Sequence, residues 1–302
     1  MLIDRVVREI KNKKNPCIVG LDPEWNKLPS CYKKTGRPKV EMIYHWAVDV
    51  IDAIKDIVIA VQPQMAFYEL YGAEGLAVFE KVVQYAYDNG LIVIDDSKRN
   101  DIGNTARAYA KAHLAREGSI NADFLTVSPF LGTDSIKPFI DEAVLEDKGV
   151  FILVKTSNPS SVEISEAVNK NGEKISHWLA KHIDDISREY VGESGYSAIG
   201  AVVGATFPQE AESLRGIMKR NYFLVPGFGV QGGSAKDVVS CFNDDGLGAL
   251  ISSSRGIIYK HLEMEDFDGS REMYKQIVRE QTGNMQREVY MALKESCMSM
   301  AY

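Results

Sequence analysis

The sequence predicts an α/β fold, a (β/α)8 barrel. Two observations carry that reading. Eight short apolar runs recur along the 302 residues, and a helical pattern separates each from the next. The runs are continuous rather than alternating, as parallel strands buried on both faces must be. Polar residues collect where the runs end, as a barrel that places its function at the strand ends predicts. Eight such units make a TIM barrel. A doubly wound sheet is the runner-up, but no Gly-x-Gly-x-x-Gly follows the first strand. With 45% hydrophobic residues the chain can build one large core, so a single barrel domain across 1–302 is expected.

The elements follow in order. Ile3, Val6, Val7 and Ile10 recur at helical spacing, and Lys11, Lys13 and Lys14 follow where a helix C-terminus favours cations. This is a covering helix. Strand one is Cys17-Ile18-Val19-Gly20-Leu21, stopped by Asp22-Pro23. A helix with Ile43, Ala47, Val48 and Ile51 precedes strand two, Ile57 to Val61, which ends at Gln62-Pro63-Gln64. A helix from about Ala73 to Asp88, closed by Asn89-Gly90, leads into strand three, Leu91 to Ile94. Asp96 and Lys98 sit at that strand's end, and a helix from Thr105 to Glu117 follows.

Strand four is Phe124 to Val127, ending at Ser128-Pro129, with a helix around Asp134 to Glu146 behind it. Strand five, Val150 to Val154, ends at Lys155-Thr156-Ser157-Asn158-Pro159. The connection at about 160–196 is longer than a plain crossover and holds a helix with Ile175, Leu179 and Ile183. Strand six is Ile199 to Val203, ending at Gly204-Ala205-Thr206, and Pro208 opens the next helix. Strand seven, Tyr222 to Val225, runs into the glycine-rich stretch Pro226 to Gly233, then a helix around Ser234 to Phe242. Strand eight, Leu247 to Ile251, ends at Ser252-Ser253-Ser254-Arg255-Gly256, and a helical tail covers about 270–298.

Composition narrows the partners. A formal charge of -7 disfavours nucleic acid, which wants a basic face. No apolar run approaches membrane-spanning length and the N-terminus has no apolar signal core, so a cytoplasmic enzyme of small molecules is expected. Cys17, Cys31, Cys241 and Cys297 lack Cys-x-x-Cys spacing, which argues against zinc and disulfide frameworks. His45, His113, His177, His182 and His261 all fall in helical segments, away from strand ends, and read as packing residues. No metal-ligand or Ser–His–Asp arrangement emerges.

Two clusters carry chemistry. Asp96, Lys98 and Asp101 place fixed charge at the end of strand three, more than a strand end needs for stability. The glycine-rich loop Pro226-Gly227-Phe228-Gly229-Val230-Gln231-Gly232-Gly233 and Ser254-Arg255-Gly256 follow strands seven and eight, where barrels commonly bind phosphate. Glycines let backbone N–H groups approach the oxygens, a helix N-terminus adds positive potential, and Arg255 can grip phosphate bidentately.

These residues also resemble a known family. Asp96-x-Lys98-x-x-Asp101-Ile102-Gly103-x-Thr105 resembles the signature of orotidine 5'-phosphate decarboxylase. Gly20-Leu21-Asp22-Pro23, Pro63-Gln64-x-Ala66-Phe67-Tyr68-Glu69, Val127-Ser128-Pro129, Lys155 to Pro159, Gly200 to Thr206 and Pro226 to Gly233 look like its longer bacterial subgroup (type 2). The resemblance implies decarboxylation of orotidine 5'-monophosphate to uridine 5'-monophosphate by a homodimeric barrel, with no metal or organic cofactor. It implies that Lys98 protonates C6, that Asp96 and Asp101 hold Lys98, and that Asp101 reaches into the partner's site. Asp22 and Thr105 would bind ribose hydroxyls, and Ser157, with Asn158 beside it, would face the pyrimidine. Gln231 and Arg255, with Pro226 and Gly256, would hold the phosphate. One position departs from the pattern: Gln62 stands where the family usually has a lysine of an alternating Lys–Asp–Lys–Asp network. Asp96 then loses a cationic neighbour unless another lysine reaches in, and activity is expected to survive at a reduced level. The alternatives are a related sugar-phosphate decarboxylase, which needs a metal ligand after strand two, and a non-catalytic nucleotide-binding barrel.

Overall fold

A computed structural model describes residues 1–34, 36–229, 232–296 and 299–302. Eight parallel strands close a barrel in sequence order: β1 (Cys17–Leu21), β2 (Ala60–Pro63), β3 (Ile92–Arg99), β4 (Phe124–Val127), β5 (Gly149–Lys155), β6 (Ser197–Val203), β7 (Asn221–Val225) and β8 (Ala249–Ser253). Closure is by β1 against β8, with Cys17 opposite Ile251 and Val19 opposite Ser253. The expected barrel is the observed one.

The helices are α1 (Leu2–Lys13), α2 (Ser30–Lys33), α3 (Lys39–Ile54), α4 (Met65–Glu69), α5 (Gly72–Asp88), α6 (Gly103–Leu114), α7 (Thr133–Leu145), α8 (Val162–Ser165), α9 (Ile175–Ser187), α10 (Pro208–Ile217), α11 (Ala235–Val238), α12 (Arg255–Ile258) and α13 (Arg271–Glu295). No described helix is long and apolar enough to cross a membrane.

Two cores result. One lies between the barrel and its outer helices and includes Trp46, Phe79, Phe139 and Leu214. The other fills the barrel, where Ile18, Ile92, Ile94, Phe124, Phe151, Tyr222 and Leu250 meet. Phe124 and Phe151 stack there with centroids 4.8 Å apart. Leu2, Ile3, Val6, Val7 and Ile10 of α1 join this inner core. The covering helix therefore plugs the N-terminal mouth and leaves the opposite mouth for the site.

Two strands sit further along the chain than their apolar runs predict. The turn closing α3 takes up Ile57 and Val58, whose N–H groups bond to the Ile54 carbonyl. Lys13 Nζ and Asn15 Nδ2 then bind the carbonyls of Val58 and Ile57. β2 consequently starts at Ala60 and carries Gln62 within the strand. At β8, Gly248 turns at φ 94° and its carbonyl accepts from buried Arg215. The strand begins after it and includes Ser252 and Ser253.

Candidate active site

Side chains alternate across a strand, so every second residue of the barrel points inward. The last inward residues form a layer above the aromatic core: Gln62, Asp96, Thr126, Leu153, Val202, Leu224 and Ser252. This layer floors a cavity of about 410 Å³, whose rim carries Asp22, Lys98, Ser157, Asn158, Pro226, Arg255 and Gly256. The volume suits a small organic ligand.

The end of β3 is the charged part of the floor. Asp95 pairs with Leu125, but the next partnered residue is Arg99, opposite Val127. Asp96, Ser97 and Lys98 thus form a bulge, and Lys98 sits in the left-handed region at φ 48°. That conformation costs an L-residue about 1–2 kcal/mol and is over-determined here. Thr126 Oγ1 accepts from the Lys98 backbone N–H at 2.9 Å and donates to Asp96 Oδ1 at 2.9 Å. Lys98 Nζ lies 2.6 Å from Asp96 Oδ1, on a side chain 45% exposed to the cavity.

The other Asp96 oxygen is equally well held. Gln62 Nε2 donates to Oδ2 at 3.0 Å and Gln64 Nε2 donates at 2.8 Å. Ser252 Oγ donates to Gln62 Oε1 at 2.5 Å, which fixes which way the amide points. Among the described residues, Lys98 is the one cation paired with Asp96. No second lysine replaces the missing charge; two amides satisfy the carboxylate instead. Four donors on one carboxylate leave no lone-pair direction idle.

Asp22 stands across the cavity at the end of β1. Ser254 hydrogen-bonds its carboxylate, and Gly20 makes that approach possible: a Cβ there would fall 1.9 Å from Ser254 Oγ. Burial, with Asp96 nearby, pushes the Asp22 carboxyl up to about 6. Ser157 is seated similarly, because a Cβ on Gly204 would come within 2.8 Å of the Ser157 Cα. Thr206 Oγ1 donates to the Ser157 carbonyl at 3.1 Å. Behind the same loop, buried Lys155 donates to Ser165 Oγ at 2.9 Å and Glu166 at 3.0 Å. The long connection after β5 is thereby tied to the strand end that presents Ser157 and Asn158.

The loops after β7 and β8 differ from expectation in one respect. Gly227, Gly229 and Gly232 all have φ above 70°, so only glycine fits this loop comfortably. The helix after it, α11, has four residues, and Asp237 of its capping box already accepts the Ser234 N–H. Positive potential here comes from loop amides and from exposed Arg255 at the start of α12, not from a long helix dipole.

Of the residues singled out by sequence, the fold brings Asp22, Gln62, Asp96, Lys98, Ser157, Asn158, Pro226, Arg255 and Gly256 to one cavity. It does not bring Asp101 or Thr105. Asp101 Oδ1 accepts from the Ile102 N–H at 2.8 Å, and Thr105 is exposed on the first turn of α6. Gln231 and Cys297 lie outside the described residues. Sequence reasoning missed Gln64, Thr126 and Ser252 as site residues. A period-two count back from each strand end finds the last two. Among the described residues, no group of three or more His, Cys, Asp or Glu side chains is placed to hold a metal.

Residues 15–264 match the profile of the orotidine 5'-phosphate decarboxylase / HUMPS family. The chain belongs to the orotidine 5'-phosphate decarboxylase / HUMPS family. It is 35% identical over 289 residues to the orotidine 5'-phosphate decarboxylase of Clostridium novyi (strain NT), covering 96% of this chain and 98% of that one. It is 39% identical over 269 residues to that of Petrotoga mobilis, covering 89% and 92%. Among solved structures, a putative orotidine 5'-phosphate decarboxylase from Streptomyces avermitilis superimposes with a TM-score of 0.81 at 30% identity, covering 96% of this chain and 95% of the other. For a chain of the orotidine 5'-phosphate decarboxylase / HUMPS family, Gln62 beside Asp96 is the position that departs from the charge network the resemblance implies.

Proposed function

We propose that this chain converts orotidine 5'-monophosphate to uridine 5'-monophosphate and carbon dioxide, a step of pyrimidine biosynthesis. The observation that carries the reading is the Lys98–Asp96 pair, 2.6 Å apart between the rim and the floor of the cavity in a chain of this family.

Breaking the C6–carboxylate bond leaves the electron pair on C6 and releases carbon dioxide. Stabilisation of that carbanion falls to fixed charge. The Lys98 ammonium provides it and then transfers one proton from Nζ to C6, giving the product ring and a neutral amine. Asp96 holds the ammonium in place while its other oxygen is restrained by Gln62 and Gln64. Its negative charge near the substrate carboxylate also favours loss of that group. Asp22 accepts from ribose hydroxyls, Ser157 and Asn158 face the base, and Arg255 with the Pro226–Gly227 turn and Gly256 holds the phosphate. Binding energy gathered at that remote phosphate orients the base over Lys98.

The site is completed in a homodimer. Asp101 and Thr105 lie outside the chain's own cavity. Beside them, Ile102 is 54% exposed and Phe130, on the adjacent loop, is 74% exposed. These side chains would be covered in such a dimer. In the dimer, Asp101 and Thr105 approach the partner's cavity from its rim. The reaction is that of a cytoplasmic biosynthetic enzyme.

The test is incubation with orotidine 5'-monophosphate carrying a labelled carboxyl group. Labelled carbon dioxide in step with uridine 5'-monophosphate, undiminished by chelator, supports the proposal. Nucleotide binding without gas release would overturn it, and loss of activity with chelator would favour a metal-dependent sugar-phosphate decarboxylase.

A further inference from the structure

His113 lies on α6, outside the cavity, yet it is buried and touches both ends of the β3 bulge. Its Nδ1 is 2.6 Å from Oδ2 of Asp95, the last residue in register before the bulge. Its Nε2 is 3.2 Å from Nε of Arg99, the first residue in register after it. An arginine Nε–H can only donate, so Nε2 accepts and Nδ1–H donates to Asp95. One imidazole in one tautomer therefore spans the three residues Asp96, Ser97 and Lys98. The grip extends at each end. Ser97 Oγ donates to Asp95 Oδ1, and the Arg99 guanidinium donates to Glu69 of α4 at 2.7 Å.

We propose that His113 is a positioning residue for Lys98: it clasps the bulge from behind and sets where the ammonium stands over the cavity floor. The inference rests on the reaction proposed above only for its catalytic consequence. Lys98 must adopt a left-handed backbone, and the ladder bonds that would hold a regular strand are interrupted at this point. Thr126 supports the bulge from the cavity side. His113 supports it from the helix side, with two bonds where an apolar residue would make none. Ordinary core packing would need the ring's volume but not its nitrogens.

The test uses His113→Phe, which keeps the ring and removes both bonds, and His113→Asn, which keeps a donor toward Asp95. Arg99→Met opens the clasp from its outer end and serves if His113→Phe does not fold. For each variant, kcat per nucleotide-binding site and the Kd for uridine 5'-monophosphate are measured. Amide hydrogen exchange is followed on the peptide containing Lys98. Displacement of a catalytic group by about 1 Å costs about 100-fold in rate. The expected result is a kcat lowered about 100-fold for His113→Phe and less for His113→Asn, a Kd within about threefold of wild type, and faster exchange at Lys98. Unchanged kcat per site with unchanged exchange would overturn the proposal, as would parallel loss of binding and rate. If wild type released no carbon dioxide, the reaction assigned above would fall, and the exchange data would still decide whether His113 holds the bulge.

Discussion

Replacing Thr126 with valine removes one oxygen and almost no volume. That oxygen accepts from the Lys98 N–H and donates to Asp96, each at 2.9 Å. A hydrogen bond to a charged group contributes about 1.5–3 kcal/mol, and a buried N–H left without a partner costs about 1–3 kcal/mol. Relaxation of the bulge recovers part of this, because the left-handed Lys98 carries about 1–2 kcal/mol of strain. A net loss of about 3 kcal/mol is expected. At about 2 cal/mol/K of unfolding entropy per residue, that lowers Tm by about 5 °C. Catalysis should suffer more, since relaxation moves the ammonium: kcat should fall about 100-fold while the Kd for uridine 5'-monophosphate stays within about threefold. Thr126→Ser, which keeps the hydroxyl, should recover most of the rate. Differential scanning calorimetry and steady-state kinetics on the same preparations measure both. A Thr126→Val enzyme with wild-type kcat would refute the argument that this hydroxyl holds the bulge in its working shape.

Other predictions concern charge, pH and assembly. Gln62→Lys places an ammonium where an amide now donates to Asp96, and Ser252 can turn its hydroxyl to accept from it. kcat/KM should be retained or rise by up to about tenfold, about 1.4 kcal/mol, and a loss beyond tenfold would show that the amides are not interchangeable with the cation. Asp22, lifted to about 6 by burial, is protonated in the free enzyme below that pH, so kcat/KM should fall as pH drops through about 6. The phosphate ionises near pH 6 as well, which makes the wild-type acid limb steeper than one proton. Asp22→Asn should reduce it to a single proton, and an unchanged slope would clear Asp22 of that role. The stability effect has the opposite sense. The folded chain holds the extra Asp22 proton between about pH 4 and 6, so Asp22 contributes less stability as pH rises across that window. Asp22→Asn should then be more stable than wild type at pH 8, by up to about 3 kcal/mol in a denaturant titration. For the dimer, mixing Asp101→Asn with Lys98→Ala chains should restore activity that neither shows alone, because one site per mixed dimer is intact. Mixtures as inactive as their parts would place Asp101 outside the partner's site.

Much of the barrel was legible in the sequence because parallel strands buried on both faces leave continuous apolar runs. Cys17 to Leu21 and Phe124 to Val127 match their strands residue for residue. β2 was displaced because Ile57 and Val58 are apolar for another reason: they close the turn after α3. The rim of the site was legible from strand-end polarity, as Asp22, Lys98, Ser157 and Arg255 illustrate. The floor was legible only in part: Gln62 and Asp96 stood out, but Thr126 lies inside an apolar run and Ser252 opens a polar stretch, and both gain meaning only from inward alternation. The bulge was invisible, since nothing in Asp96-Ser97-Lys98 signals a lysine at positive φ; it follows from register against β4 and from the bonds of Thr126 and His113. Asp96 and Lys98 meet at 2.6 Å through this bulge, not through the two-residue alternation of a regular strand. Asp101 and Thr105 serve no site visible within one chain, and their assignment depends on an assembly.

The central claim is that Lys98, held by Asp96, both stabilises the C6 carbanion and protonates it. The most direct measurement compares wild type with Lys98→Ala, reading carbon dioxide release from orotidine 5'-monophosphate alongside the Kd for uridine 5'-monophosphate. Removing both functions should lower kcat by at least about 10⁴-fold, the upper range for acid–base catalysis alone, while nucleotide binding persists within about tenfold. A Lys98→Ala enzyme that releases carbon dioxide within tenfold of the wild-type rate would contradict it.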